Sequence, residues 1–180
     1  TSDGLRVVNI ANPAAPMEAS FLELDTSAHA VAVAGNYVYI ATSDGLRVVN
    51  IANPAAPMEV GSIYADGYGS DVAVAGSYAY VAGGSGLRII NIANPAAPVE
   101  VGHFVTPERV GTVAVSGGYA YVSVGNEGMI VVINVANPAA PVKVGQFLAP
   151  DWVNELKVDG DYVYVANGWG GLLSLRHNKN

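Results

Sequence analysis

Apolar residues along this chain fall into short, nearly continuous runs that glycine, asparagine and proline separate. One stretch has four such runs in succession: Ser70–Ala75, Tyr78–Ala82, Leu87–Ile92 and Val99–Val105. Each run is about five or six residues long and rich in side chains that favour strands. The breakers come too often for apolar residues to keep helical spacing over three turns. The pattern therefore predicts four short strands per unit and an all-β chain.

The runs consist mainly of Val, Ile, Leu and Ala without regular polar alternation, which is typical of strands covered on both faces. The unit recurs at a fixed period, because its proline turns begin at Pro13, Pro54, Pro95 and Pro138, spaced 41, 41 and 43 residues apart. Four-stranded units of about 40 residues that cover each other's faces are the blades of a β-propeller. We predict four such blades in a single domain over residues 1–180, with strands a to d in chain order and the Ala-rich strand a innermost.

Two recurring motifs carry a family resemblance: Gly-Leu-x-Val-Val-x-Ile-x-Asn-Pro-x-x-Pro, and Val-x-Val-x-Gly-x-Tyr-x-Tyr-Val-Ala after it. This combination resembles the LVIVD-repeat propellers of bacteria and archaea over essentially the whole chain. The family usually carries an acidic residue at four positions where this chain has Asn9, Asn50, Asn91 and Asn134. The resemblance implies a surface or secreted interaction scaffold, and it supplies no catalytic motif.

The order of strands along the chain raises the question of how the ring closes. The first strands read as c (Gly4–Ile10) and d, three full units follow, and strands a and b lie in Asn154–Ala166. Pairing these N-terminal and C-terminal strands in one blade would remove open sheet edges, so we expect that blade. Gly171–Arg176 reads as a degraded fifth strand c that is then redundant with Gly4–Ile10. One of the two must be displaced or must add to an edge.

The number of blades in the ring follows from the side chains between them. Four blades meet at steep angles and need bulky side chains between their outer strands, whereas aromatic residues are only 8% of this chain. The blade faces, mostly Val, Ile and Ala, favour a homodimer in which two chains complete one eight-bladed ring. A four-bladed monomer is the alternative.

Residues Thr1–Glu18 and Thr42–Glu59 are identical at all eighteen positions. The fold does not require such identity, because cores accept many apolar sequences of the right volume. The identity indicates either recent duplication or an engineered chain assembled from copied units. An engineered or recently duplicated propeller fragment without a ligand, a model for repeat assembly, is therefore an alternative function.

Composition excludes several partners. The net charge is −7 and the eight Lys and Arg residues are scattered, so no basic stripe exists for nucleic acid or for anionic membrane surfaces. The apolar runs are too short for membrane insertion. Cysteine is absent, which excludes disulfides, zinc–thiolate sites and thiol catalysis. An acidic chain with few charges and many Gly and Asn residues fits the outside or cell surface of a prokaryote.

The repeats differ from each other mainly at one end of the predicted ring. The a–b turns scarcely vary and the c–d turns keep Asn-Pro-Ala-Ala-Pro, whereas the d–a and b–c connections differ in every unit. Aromatic and Arg side chains on loops of a rigid scaffold are typical of binding surfaces. We predict protein or glycan binding there; drift of surface loops is the alternative. The candidate residues are His29, Tyr64, Asp66, Tyr68, Glu108, Arg109, Asp151, Trp152, Asn154 and Trp169.

A second, weaker candidate lies at the mouth of the central channel, where strand a begins. Asp71 and Glu155 share one column of the repeat and could help to hold a hard cation. A calcium site normally gathers more oxygen ligands than two, so we favour two solvated acids and expect no metal or other cofactor. Lys157, in the same strand as Glu155, is expected to pair with Glu155 or Asp159.

The residues for catalysis are not arranged in a known constellation. His29, His103 and His177 lie in unrelated columns, without metal-ligand spacing and without a Gly-x-Ser-x-Gly elbow. A hydrolase or lyase that uses loop carboxylates is the remaining enzymatic alternative, and its candidate acids are Asp66, Asp71, Glu108 and Asp151. Any four acids on a ring would give the same impression, so we expect no enzyme.

Overall fold

The computed structural model describes residues 4–65, 69–84 and 86–176. These residues form seventeen β-strands and one short 3-10 turn, Gly168–Gly170. No helix in these ranges is long and apolar enough to cross a membrane. The strands are β1 (Gly4–Asn9), β2 (Met17–Glu23), β3 (Ala28–Ala34), β4 (Tyr37–Thr42), β5 (Gly45–Asn50), β6 (Met58–Tyr64), β7 (Gly69–Ala75), β8 (Tyr78–Gly83), β9 (Gly86–Asn91), β10 (Val99–Val105), β11 (Val110–Ser116), β12 (Tyr119–Val124), β13 (Met129–Asn134), β14 (Val142–Leu148), β15 (Val153–Asp159), β16 (Tyr162–Asn167) and β17 (Gly171–Arg176).

Every sheet is antiparallel and follows the order of its strands along the chain. Three sheets have four strands each, β3 to β6, β7 to β10 and β11 to β14, and we call them the first, second and third blades. Strands β15 to β17 form a three-stranded fourth blade, and β1 pairs with β2 in an N-terminal hairpin. The predicted all-β class with four-stranded units is confirmed.

Residues within the invariant turns stabilise those turns locally, and they do so at equivalent positions of each repeat. Gly35 opens the first a–b turn with φ at +57°, in the left-handed region that favours glycine. The Asn side chain before each proline accepts a hydrogen bond two residues on, as from the Ala55 amide to Asn53 Oδ1 at 3.2 Å. Asn50, the last residue of β5, acts in the same way: its Oδ1 accepts a hydrogen bond from the Ala52 amide at 2.8 Å. These bonds give the invariant residues a local role in forming the turns.

Strand a lies innermost, as predicted. β3 packs on β7, β7 on β11 and β11 on β15. Side chains from neighbouring blades fill the space between sheets, and one core unites Leu87 and Ile89 of the second blade with Val113, Val122 and Ile133 of the third. A sheet between two blades is covered on both faces. This explains why apolar and polar residues do not alternate along its strands.

The blade that was expected to join both ends of the chain is not formed within one chain. The hairpin packs on the first blade, where Leu5 and Leu22 contact the cluster around Val49. The strand next to β16 is β17. Strands β3 and β15 are the first and last of the four innermost strands. Among the described residues, β3 and β15 do not pack on each other as consecutive innermost strands do. Completion of that blade, and the homodimer, therefore stay predictions.

Candidate functional site

Backbone hydrogen bonds place the variable connections together at one end of the blades. The Ser43 amide donates to the Ser27 carbonyl at 3.1 Å, and the Gly125 amide donates to the Arg109 carbonyl at 2.9 Å. Each bond joins a b–c turn to the d–a connection of the same blade. We call this end the loop face; its described connections are residues 24–27, 43–44, 65, 84, 106–109, 125–128, 149–152 and 168–170.

A bulge at the start of strand a adjoins the loop face in all four blades. The pairing with strand b skips His29, Ser70 and Asn154 in the first, second and fourth blades, and it shifts between Val110 and Val113 in the third. A bulge inserts an unpaired residue and redirects its side chain. Two of these residues, His29 and Asn154, are predicted site residues, and both are exposed. The regular run of apolar residues gave no sign of the bulges.

Both tryptophans of the chain lie at one corner of the loop face, around Asp151. Asp151 Oδ1 accepts the Trp152 amide at 2.9 Å, and its Oδ2 accepts the Trp169 amide at 2.8 Å. Trp169 is 90% exposed and Trp152 is 42% exposed. A side chain on Gly168, whose φ is +38°, would come within 2.8 Å of the Trp152 ring. The structure therefore brings three predicted residues together in a fixed arrangement, which we call the tryptophan corner.

Asn167 supports the tryptophan corner from inside. Its side chain is buried, and its Nδ2 donates to the Trp152 carbonyl at 3.4 Å. Its Oδ1 is also buried and accepts no hydrogen bond from the described residues. Buried polar atoms without partners are rare in proteins, and those that occur commonly lie at functional or strained positions.

Glu108 and Arg109 form a separate polar group between the second and third blades. Arg109 Nη2 donates to Ser70 Oγ at 2.9 Å, and Ser70 Oγ donates to the Val110 carbonyl at 3.1 Å. The Glu108 carboxylate lies against Gly125, where a Cβ would overlap one of its oxygens. Glu108, Arg109 and Gly125 line a shallow polar pocket of about 290 Å³.

His29 and Tyr64 lie on the first blade, apart from the tryptophan corner in the order of blades. His29 Nε2 lies 2.9 Å from Ser43 Oγ. Tyr64 is 71% exposed, and the Arg47 guanidinium lies 5.3 Å from the centre of its ring. The predicted residues are therefore dispersed around the loop face: the tryptophan corner and the Glu108–Arg109 pair are separate, and His29 and Tyr64 lie on the innermost and outermost strands of the first blade. Asp66, Tyr68 and His177 lie outside the described residues.

Arg47, which is not among the predicted site residues, is the centre of a charged cluster. Arg47 is buried, and its guanidinium binds Asp44 at 2.8 Å, Asp25 at 3.0 Å and Glu59 at 3.3 Å. Burial opposes its charge, but these carboxylates raise the pKa of Arg47 above its ordinary value. Burial also acts against the charge of Asp44, yet hydrogen bonds from Thr42 and Thr26 and the Arg47 charge hold the pKa of Asp44 below its usual range.

A signal for this cluster was present in the sequence. Arg and Glu recur twelve residues apart, and the pairs Arg6–Glu18, Arg47–Glu59 and Arg88–Glu100 all form salt bridges. The recurrence indicates pairing across strands c and d. It does not distinguish the buried Arg47 from the exposed Arg6, because their flanking sequences are identical.

We expect Arg47→Met to lower the free energy of unfolding by about 2 kcal/mol, because it leaves carboxylates without their partner. The value is below that of a fully buried pair, since Asp44 and Glu59 side chains are 35% and 32% exposed. Arg6→Met, in the same eighteen-residue sequence but exposed, is the matched control and should change stability by less than about 1 kcal/mol. Urea unfolding of both variants measures the difference.

The pH dependence gives a second readout of the Arg47 cluster. Because the pKa of Asp44 is lowered in the folded state, its contribution is present at neutral pH and is lost as pH falls through that folded pKa. The difference in free energy of unfolding between wild type and Arg47→Met should therefore become smaller at acidic pH. Equal effects of the two arginine substitutions at pH 7 would contradict the assignment.

The channel-mouth residues are engaged within the protein. Asp71 Oδ2 accepts hydrogen bonds from Thr112 Oγ1 at 2.7 Å and from the Val113 amide at 2.8 Å, and thereby joins the second blade to the third. Glu155 binds Lys157 at 3.0 Å, as predicted, and this hydrogen bond raises the pKa of Lys157. Within the described ranges, no group of three or more acidic or His side chains could hold a metal.

His103 lies on β10 beside the Arg88–Glu100 pair. Burial, followed by the charge of Arg88, lowers the pKa of His103 below its ordinary value, and Glu100 acts in the opposite direction. His29 and His103 belong to different blades, so the structure does not bring these two imidazoles together.

Solved structures with this fold include natural and designed proteins. The β-propeller domain of Cps50 (Swd1) from Myceliophteria thermophila matches with a TM-score of 0.80 at 15% identity, over 98% of this chain and 63% of that chain. The computationally designed Ika4 protein matches with a TM-score of 0.69 at 12% identity, over 88% of this chain and 96% of that chain. The designed Ika8 protein matches at 0.68 and 13% identity, over 89% of this chain and 49% of that chain.

These likenesses establish the propeller fold and nothing about activity, because the identities are low. This chain spans about half of the Ika8 chain and less than two thirds of the Cps50 domain chain. A search of functionally curated proteins finds no match. The model of the LVIVD repeat matches four times, at residues 25–65, 66–106, 109–149 and 152–173, and its description names no catalytic activity. The chain belongs to the LVIVD-repeat family, as the motifs predicted.

Proposed function

We propose that this protein is a non-catalytic propeller scaffold that binds a glycan through the loop face, at the tryptophan corner. The observation that carries the proposal is the 90% exposure of Trp169 on a fixed turn. Exposed tryptophan rings are uncommon, because they leave a large apolar area in water. The Asp151 carboxylate and the contact between Gly168 and Trp152 support this turn, so the ring is presented on an ordered surface.

The chemistry of the tryptophan corner suits a neutral sugar. An aromatic ring packs against the apolar face of a pyranose, and nearby amide and carboxylate groups bind hydroxyls. Asp151 and Asn154 supply such groups on or beside the same connections, whereas Asn167 is buried and supports them from inside. A net charge of −7 disfavours an acidic glycan. A protein partner, or a duplicated fragment without any ligand, would be a different outcome of the experiment below.

The two tryptophans are a built-in probe, because the chain has no others and both lie on the loop face. We expect tryptophan emission to change saturably when cellohexaose, chitohexaose or mannohexaose is added. Trp169→Ala should abolish the change in the remaining Trp152 signal. Tyr162→Ala is the matched control: Tyr162 is an exposed aromatic residue beside the a–b turn, at the opposite end, and its replacement should leave binding unchanged.

Stability separates a binding role from a packing role for the ring. Trp169→Ala should change the free energy of unfolding by less than about 0.5 kcal/mol, as is usual for surface substitutions. A large fall in melting temperature would show that the ring packs in the fold. Emission that stays constant with all three sugars would contradict glycan binding, and a response only to a protein would replace the glycan with a protein partner.

A further inference from the structure

One face of the N-terminal hairpin is uncovered. In the other blades, the equivalent face packs against the preceding blade. Ile10 is 70% exposed, whereas its counterparts Ile92 and Val135 are 5% and 3% exposed. Val8 is 48% exposed, and its counterpart Val49 is fully buried. The hairpin therefore presents an inter-blade surface. Among the described residues, β1 also has no strand paired with its inner edge, where strand b lies in the other blades.

A matching groove lies between the third blade and β17. It has a volume of about 390 Å³ and is lined by apolar side chains that include Tyr121, Ile130, Val132 and Phe147. Phe147 on strand d of the third blade is 40% exposed, although its counterpart Phe104 packs into the core between the second and third blades. The groove is thus the place where strand d of a following blade would cover the third blade.

A second feature of the groove identifies the group that fits it. Strand d of each preceding unit contacts the Asn-Pro turn of the following blade: Ser20 Oγ donates to the Pro54 carbonyl at 2.6 Å. A Cβ on Gly61 or Gly102 would overlap the carbonyl oxygen of the proline in the corresponding turn. For Gly145, at the same position in the third blade, nothing lies nearer than Val132 at 3.9 Å. The surface at Gly145 is therefore shaped for an Asn-Pro turn.

The hairpin carries that turn, Asn12-Pro13-Ala14-Ala15-Pro16, between β1 and β2. Its first strand is identical in sequence to β5, which pairs with β4, and β16 (Tyr-Val-Tyr-Val-Ala-Asn) nearly repeats β4 (Tyr-Val-Tyr-Ile-Ala-Thr). β17 matches this place less well, because Leu172 is 74% exposed and Ser174 stands where β5 has the buried Val48.

We propose that the β1–β2 hairpin of a second copy of this chain replaces β17 beside β16 and closes the ring. β1 would pair with β16 in the register of β5 with β4, β2 would fill the groove, and Pro13 would contact Gly145. The exchange is reciprocal, so two chains complete two mixed blades and a two-fold symmetric ring. The occupant is a second copy because each chain's own hairpin packs on its first blade, and β3 of that blade does not pack on β15 as consecutive inner strands do. The hairpin therefore does not reach β16 of its own chain.

Two cysteines placed by this register test the proposal in a chain that has none of its own. Tyr164 would lie opposite Val7, as Tyr39 lies opposite Val48. We expect Val7→Cys with Tyr164→Cys to give a covalent dimer on a non-reducing gel after mild oxidation. Val7→Cys with Tyr162→Cys, two residues out of register, should give much less. A cross-link within one chain, or none in either variant, would overturn the proposal.

Gly145→Val tests the same contact without cross-linking. The new side chain has room in the single chain, so the circular dichroism spectrum should be unchanged. In the closed ring it would meet the Pro13 turn, and we expect dimerisation to weaken more than tenfold. A folded Gly145→Val protein that dimerises as strongly as wild type would overturn the proposal. Neither experiment depends on whether the tryptophan corner binds a glycan.

Discussion

Gly102→Val should lower the free energy of unfolding by about 3 kcal/mol, at the upper end of overpacking effects. Gly102 lies on strand d of the second blade, and a Cβ there would overlap the carbonyl oxygen of Pro138 in the third blade. The overlap involves backbone on both sides, so no side-chain rotation relieves it. The two blades must separate locally, which exposes the apolar core between them. Urea unfolding of the purified variant measures the loss.

Gly102→Ser is the matched control for this prediction. Ser20 occupies the same position in the N-terminal hairpin, where its hydroxyl donates to the Pro54 carbonyl at 2.6 Å. A serine at position 102 has the same Cβ and meets the same overlap, but its hydroxyl can donate to the Pro138 carbonyl once the strand has shifted. We therefore expect a loss about 1 kcal/mol smaller than that of valine. If valine and serine are equally tolerated, the close contact between strand d and the next turn does not exist.

Leu87→Ala should lower the free energy of unfolding by about 3 kcal/mol, within the range of buried leucine truncations. Leu87 lies on strand c of the second blade, is fully buried, and packs in the core shared with the third blade. Its removal leaves a cavity between two sheets whose distance is fixed by their other contacts. Thermal and urea unfolding both report this change.

Leu172→Ala provides the comparison, because Leu172 occupies the same column of the repeat on β17. Leu87 pairs with Ala82, and Leu172 pairs with the equivalent Ala166. Leu172 is 74% exposed, so its truncation should change stability by less than about 0.5 kcal/mol. A loss at Leu172 as large as that at Leu87 would contradict the assigned environment of β17.

The sequence was sufficient for the blades because its own copies mark the strands and turns. Pro54 and Pro95 occupy the same position in successive turns. A glycine stands at the position of Gly35 in every a–b turn, where the backbone has a positive φ. These requirements are local: a turn forms from its own residues and gives the same result in every unit. The innermost position of strand a followed from small side chains that fit a crowded axis.

The environment of a repeated residue could not be predicted in this way. Arg6 and Arg47 have the same neighbours in sequence, yet their side chains are 57% and 6% exposed. The difference arises from the adjoining d–a connection, where Asp25 meets Arg47, and from the blade on either side. Contacts between blades join residues about 40 positions apart, as from Thr112 to Asp71, and no local pattern encodes them.

The candidate site was predicted as a set of loop residues, whereas the structure divides it into groups. The tryptophan corner depends on both oxygens of Asp151, which join two connections eighteen positions apart in sequence. The bulges that present His29 and Asn154 break the strand pairing without a marker residue. Comparison of the repeats indicated which end of the propeller varies, but hydrogen bonds decide which of its residues meet.

In the proposed ring, a second copy completes the interrupted blades at the two ends of this chain. Sedimentation equilibrium of the unmodified protein tests it most directly. We expect a mass near 37 kDa, twice the 18.5 kDa of one chain, at micromolar concentration and above. A single species of 18.5 kDa over the same concentrations would contradict it.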